Sequence, residues 1–332
     1  MTTLRIPRPR GFSLHAASDF FSGFVPGSGM APATADAVSG GLTLVFRLDR
    51  TFDAVAVALR EEGDDVVVDY AGSSAVERSR ELADAAVTRQ VARILGLDAD
   101  AEAWTSLGRR DPVVGRLQAE FPGFFTAAKP SPYDAATWGI IAPRMPIAAA
   151  AKLKMTIARD HGDAVTLRGR THHVFPSPQA VARIDRVEGL PDEKLARLKG
   201  IARAALEGRL DAERLRAMAE ADALDELQSM RGVGPWTASH IFYRGAAPHD
   251  GLPTAEPRVL HGLAYAYGLD SPSQETFERL AENWRPLRMW VCILLSRHLA
   301  RAGGWNAPGL ARERAAAGRK LATRTRRERA RA

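Results

Sequence analysis

The chain has 332 residues, 45% of them hydrophobic and 26% charged, with one cysteine and a formal net charge of +7. That length supports two or three domains with a sizeable core, and the composition is ordinary for a soluble globular protein. No apolar run approaches the roughly 18 residues that a membrane helix needs, and the start MTTLRIPRPRGF has arginines without the apolar stretch of a signal peptide.

In chain order, aromatics at Phe20, Phe21 and Phe24 come first, among glycines and Pro26. Segments 42–48, 52–59 and 66–70, rich in Val, Leu and Phe and parted by polar turns, predict antiparallel strands. From Val76 the period changes. Leu82, Val87, Val91, Ile94 and Leu95 recur at helical spacing, and helices are predicted to continue to about residue 300. Loops fall at 129–132, 175–178, 189–191 and 245–257, with Ser177 or Pro178 and Asp192 as helix starts. His172 and His173 occupy adjacent positions without zinc spacing, so they read as structural or surface residues. Cys292, inside the apolar run 290–295, reads as a buried small hydrophobe; a single cysteine forms no intrachain disulfide and fits a reducing cytoplasm. The expected class is mainly α with a small N-terminal α+β domain: residues 1–80, an all-helical region 81–307, and a basic tail 308–332.

The tail holds nine Lys/Arg and two Asp/Glu, so it accounts for the whole +7 and the rest of the chain is neutral. Such a segment can grip a phosphate backbone without reading sequence, or simply solubilise.

One stretch carries the chemistry. A helix predicted over 221–229 leads into Met230-Arg231-Gly232-Val233-Gly234, and Pro235 opens the next helix. Proline suits the first helical position because its missing N–H has no intrahelical partner there. The glycines permit a tight turn, and the free amides of the new helix form an anion site at the positive end of its dipole. About twenty residues on, Pro253-Thr254-Ala255-Glu256 places a carboxylate within reach of the same ligand.

This hairpin, with Ser131-Pro132-Tyr133-Asp134, Phe175-Pro176-Ser177-Pro178-Gln179 and Leu206-Glu207-Gly208 in the same order, resembles the helix-hairpin-helix superfamily of DNA base-excision glycosylases, in the branch of 3-methyladenine DNA glycosylase II. The resemblance covers nearly the whole predicted folded part, and the N-terminal strands fit that branch's TATA-binding-protein-like domain. It implies that Gly232, Val233, Gly234 and Thr237 hold DNA. It also implies that carbonyls of Gln228, Met230 and Gly232 hold a structural alkali-metal ion. Bifunctional members carry a lysine where this chain has Trp236, and tryptophan cannot form a Schiff base. The implied chemistry is therefore monofunctional hydrolysis of the N-glycosidic bond of a damaged, alkylated purine.

The family's catalytic aspartate is here Glu256, one methylene longer and followed at once by Pro257 and Arg258, which offers it a partner. Asp250 is the alternative carboxylate. The base pocket implied by the resemblance comprises Trp236, His240, Phe24 and Leu287, the last standing where the branch has a tryptophan. Arg144 stands near the position that wedges into the duplex. No cofactor is expected. The expected partner is double-stranded DNA with a damaged base, bound by a monomer in the cytoplasm at the nucleoid. The competing expectation is an impaired protein that binds distorted DNA without excising a base.

Overall fold

The computed structural model describes residues 1–22, 35–36 and 41–303. Among these, β1 (Thr2–Pro7), β2 (Ala35–Asp36), β3 (Gly41–Arg47), β4 (Ala54–Glu62) and β5 (Asp65–Gly72) form one antiparallel sheet in the order β1-β5-β4-β3-β2. Strands β3 to β5 lie where the sequence pattern puts them. Strand β1 is new: it joins the far edge by pairing Leu4 with Val68 and Ile6 with Val66, a contact some sixty residues away in sequence.

Alternation along β4 gives its two faces different tasks. Val55, Val57 and Leu59 enter the main core, which also takes Leu14, Ala17, Phe20 and Phe21 of α1 (Leu14–Ser22). Ala54, Ala56 and Ala58 form a flat face on the other side. A second pair of strands, β6 (Asp163–Leu167) and β7 (Arg170–Val174), packs Val165, Leu167 and Val174 onto those alanines. The expected all-helical region is thus interrupted by a hairpin, because the central strand of the sheet needs cover on both faces. Buried Arg47 locks this junction: its Nε donates to the Phe175 carbonyl at 2.5 Å, its Nη1 to the Phe52 carbonyl at 2.8 Å, and its Nη2 to Asp163.

The helices begin with α2 (Ser74–Arg78) and α3 (Arg80–Leu95). The buried stripe of α3 runs through Ala83, Val87, Val91 and Ile94, and Leu82, one position out of phase, is 75% exposed. Next, α4 (Ala101–Arg110) and α5 (Pro112–Glu120) are each capped by an aspartate that accepts from first-turn amides. Helix α6 (Pro132–Ile141), capped by Ser131, is buried along nearly its whole length and forms the axis of the helical part. Around it follow α7 (Ile147–His161), α8 (Pro178–Arg183) with the expected Ser177 cap, α9 (Asp192–Leu206), α10 (Ala212–Ala217), α11 (Glu220–Gln228) and α12 (Pro235–His240). A π-helical turn, Ile241–Ala246, extends α12, before α13 (Pro257–Tyr267), α14 (Gln274–Glu282) and α15 (Arg288–Arg301). Cys292 is buried within α15, where desolvation pushes its thiol pKa up, in line with a core role. His172 is half-buried and His173 exposed on β7. No described helix is long and apolar enough to cross a membrane. The basic tail and Phe24 lie outside the described residues.

The site depends on how closely α12 approaches α6. A β-carbon at Gly139 of α6 would sit 2.6 Å from Cγ2 of buried Thr237, so only glycine lets the two helices meet there. Gly139→Ala is therefore expected to destabilise the fold by about 1–3 kcal/mol, read as a lower midpoint in urea with an unchanged slope.

Candidate active site

The hairpin folds as its residues dictate. Helix α11 ends at Gln228, and the Met230 and Val233 amides turn back to the Leu227 and Met230 carbonyls at 3.2 and 3.0 Å. Gly232 adopts φ +87°, a left-handed conformation natural only to glycine, and its Cα faces the Arg197 side chain so closely that a β-carbon would lie 2.6 Å from Cδ. Gly234 then caps α12 without any side-chain acceptor. The result leaves the amides of Gly232 and Gly234 with no acceptor among the described residues, on two exposed glycines.

Two of the expected DNA contacts have buried side chains. Val233 is buried and its amide is consumed inside the turn. Thr237 is buried against Gly139 of α6, so its side chain packs helices instead of facing outward. Arg144 is exposed as expected, at φ +62°, a backbone state costing a non-glycine residue about 1–2 kcal/mol. Lys194 holds that strained loop, donating to the Ile141 and Pro143 carbonyls at 2.6 and 2.7 Å. Burial, with Arg144 and Arg197 nearby, lowers the Lys194 pKa. Helix α9 thus braces both edges of this face, the Arg144 loop through Lys194 and the glycine turn through Arg197.

The carbonyls at the C-terminus of α11 suit a hard cation, since they lie at the negative end of the helix dipole. Of the three expected ligands, the Met230 oxygen already accepts from Val233 and keeps a second lone pair. Among the described residues no cluster of three or more His, Cys, Asp or Glu could hold a metal ion, so backbone oxygens are the donor set available at the hairpin.

Beside the hairpin opens a cavity of about 680 Å³, walled by Phe20 of α1, Phe124, Trp236 and His240 of α12, Glu256 and the inner face of α15. Trp236 and His240, four residues apart on one helix face, stack with ring centroids 5.2 Å apart and planes within 9°. His240 is held neutral: burial, then Lys129, Arg244 and Arg258, drives its pKa well below the usual value. Its Nε2 is buried without a hydrogen-bond partner.

Glu256 faces this cavity from the N-cap of α13, with its side chain 19% exposed. Its Oε1 accepts from the Arg258 amide at 3.3 Å and Arg258 Nε at 2.8 Å. Its Oε2 accepts from Arg258 Nη2 at 3.2 Å and Trp236 Nε1 at 3.0 Å. Burial raises the carboxyl pKa, but the Arg258 charge and these bonds outweigh it and hold the group below the ordinary glutamate range. The group is an anion at neutral pH. With its extra methylene the carboxylate spans from its own helix cap to the indole of Trp236. Arg258 supplies three of these bonds and Trp236 the fourth, which together use the four acceptor sites a carboxylate offers.

Leu287 does not line the cavity. It is 2% exposed in the core, and the cavity face of α15 runs through Met289, Cys292, Ile293, Ser296, Arg297 and Ala300. That stripe has helical spacing, and residue 287 lies two positions before it, about 200° around the axis. Asp250, the alternative carboxylate, is tied to Arg285 and Arg288 and is absent from the cavity wall. Sequence reasoning missed Phe20, Phe124, Arg244 and Arg297. Of these, Arg297 had a signal, as a charge on the same helical stripe as Met289 and Cys292.

No family model matches the chain. It is similar to DNA-3-methyladenine glycosylase of Bacillus subtilis (strain 168), 26% identical over 209 residues, which are 61% of this chain and 69% of that protein. It is also similar to DNA-3-methyladenine glycosylase 2 of Escherichia coli (strain K12), 27% identical over 202 residues, or 58% of this chain and 65% of that one. The fold matches that of the 3-methyladenine DNA-glycosylase from Archaeoglobus fulgidus with a TM-score of 0.66 at 22% identity, covering 90% of this chain and 97% of the other.

The depressed Glu256 pKa has a thermodynamic consequence. A carboxyl whose folded pKa lies below its unfolded value stabilises the fold above the unfolded value, about 4.3, and loses that contribution as pH falls through the folded value. Glu256→Gln is expected to be less stable than the parent chain at pH 7, with the difference shrinking steadily below about pH 4. Urea unfolding of both proteins across that range measures it.

Proposed function

We propose that this chain, which belongs to the helix-hairpin-helix superfamily of DNA base-excision glycosylases in the branch of 3-methyladenine DNA glycosylase II, hydrolyses the N-glycosidic bond of a damaged purine in double-stranded DNA. The observation that carries the reading is the position of the Glu256 carboxylate, on the wall of a base-sized cavity, hydrogen-bonded to Trp236 and next to a hairpin with open amides.

Each step follows from that arrangement. The Gly232 and Gly234 amides hold a phosphate, and Arg144 enters the gap left when the damaged nucleotide swings out of the stack. The base enters the cavity against the aromatic wall of Trp236 and His240. As the C1′–N bond breaks, the sugar acquires cationic character, and the Glu256 anion stabilises it in a partly desolvated setting. Because the carboxylate's acceptor sites are full, orienting the attacking water requires one existing bond to lengthen. The 3.2 Å contact from Arg258 Nη2 is the longer of its two side-chain bonds and the natural one to yield. With Trp236 in place of a lysine, no covalent enzyme–sugar adduct forms and the product is an abasic site. The backbone oxygens of Gln228, Met230 and Gly232 would hold an alkali-metal ion that stiffens the turn. Alkylated purines are the lesion class the branch implies, and a monomer acting on DNA in the cytoplasm completes the reading.

The same contacts favour one rival. If Arg258 never releases the carboxylate, the protein grips distorted DNA without cutting. Glu256→Gln keeps the shape and removes the charge, and its single-turnover rate on a methylated duplex is expected to fall on the order of a hundredfold or more, with DNA affinity nearly unchanged. Equal binding by both proteins with base release by neither would establish the binding protein instead.

A further inference from the structure

Arg297 projects from α15 into the cavity among three phenylalanines, with its guanidinium 4.4 Å from the ring centre of Phe124, 4.7 Å from Phe121 and 5.0 Å from Phe20. Such a setting fixes the head group by cation–π attraction and strips its water. Its Nη1 is buried and makes no hydrogen bond. A buried, unpaired N–H of a charged group is costly, and the residue that carries it lines the cavity.

Its neighbours add to the same field. Arg244 also lines the cavity, with Nη2 donating to the Ala127 carbonyl at 2.7 Å, and Arg258 lies beyond it against Glu256. Burial lowers the pKa of Arg244 and of Arg297 to about 10 each, so both remain cations at neutral pH. The acids facing Arg297 are Asp19 and Glu120. Asp19 is 60% exposed beside His15, and Glu120 is engaged by His298 and Arg301. The cavity wall therefore carries Arg244, Arg258, Arg297 and Arg301 against Asp19, Glu120 and Glu256, and His240, the stacking partner of Trp236, carries no charge.

We propose that Arg297 makes this cavity select an uncharged damaged purine bearing a hydrogen-bond acceptor on its ring edge, over a cationic N-alkylated one. The proposal rests on the reading above, in which the cavity receives the base. A cationic base meets the like charges of Arg244 and Arg297 on the wall where it must dock. An uncharged base instead offers the Arg297 guanidinium an acceptor. The chemistry agrees. When the C1′–N9 bond of an uncharged purine breaks, both electrons go to the base, which leaves as an anion. Donation from Arg297 stabilises that anion, water adds its hydroxide to C1′, and its proton ends on the released base. A cationic base leaves as a neutral molecule and gains nothing from such a donor.

Two duplex series separate the possibilities, one with hypoxanthine and one with 7-methylguanine opposite the same partner. In 2′-fluoro form, which resists cleavage, they report binding alone; as ordinary deoxynucleotides they report release. The parent chain is expected to bind the hypoxanthine duplex about tenfold tighter than the 7-methylguanine duplex. Arg297→Met, which keeps the stem among the phenylalanines, is expected to abolish that gap, and Arg297→Lys to restore part of it. Equal or reversed preference in the parent chain, or a gap untouched in Arg297→Met, overturns the assignment even if bases are released. A clear preference without any release leaves the selectivity of Arg297 standing and overturns the hydrolytic reading instead.

Discussion

A carboxylate inside a protein wall stays charged only if donors replace the water it has lost. Glu256 meets that condition with four N–H groups, three from Arg258 and one from Trp236. The rest of the site follows from holding this anion in place. Trp236 must stand at the second position of α12 to offer its indole, which requires Pro235 to open the helix and the glycine turn to bring the chain round. Arg258 must follow two residues after Glu256, at the start of α13, so that cap and ion pair share one carboxylate. An aspartate is the more favoured helix cap, but the longer glutamate caps its helix and reaches the indole as well.

Depth in the fold makes this arrangement rigid. Helix α12 lies against the buried α6 through the Gly139–Thr237 contact, and the π-helical turn after it returns Arg244 to the cavity while the Arg244 carbonyl accepts from the Lys129 amide at 2.6 Å. Facing it, α15 contributes a stripe at helical spacing and α1, from the sheet domain, contributes Phe20. The cavity is thus built where the two parts of one continuous core meet. Its wall combines groups from the first 20 and the last described residues of the chain.

Local signals were legible. The alternation of β3 to β5, the Ser177 cap, the proline and glycines of the hairpin and the possible Arg258 partner are written in neighbouring residues. What the sequence hid is non-local. Strand β1 has only Leu4 and Ile6 as apolar residues and becomes a strand because β5 offers an open edge. The β6–β7 pair makes sense only against the alanine face of β4, which is invisible until the sheet exists. Leu287 was assigned from its place in a motif, whereas the phase of α15 decides what faces the cavity. Phe20 stands in the cavity wall, and a run of aromatics does not say which of them point inward. Arg297 is the instructive omission, a charge amid the apolar residues of a helix stripe.

The site depends on Glu256 being an anion that faces the cavity. A carbon-detected NMR titration of its carboxyl in the full-length protein tests this most directly, with a Trp236→Phe variant for assignment. The predicted midpoint lies below the ordinary glutamate value of about 4.3 and moves upward when the indole donor is removed. A midpoint at or above that value, or one indifferent to Trp236, would contradict the account.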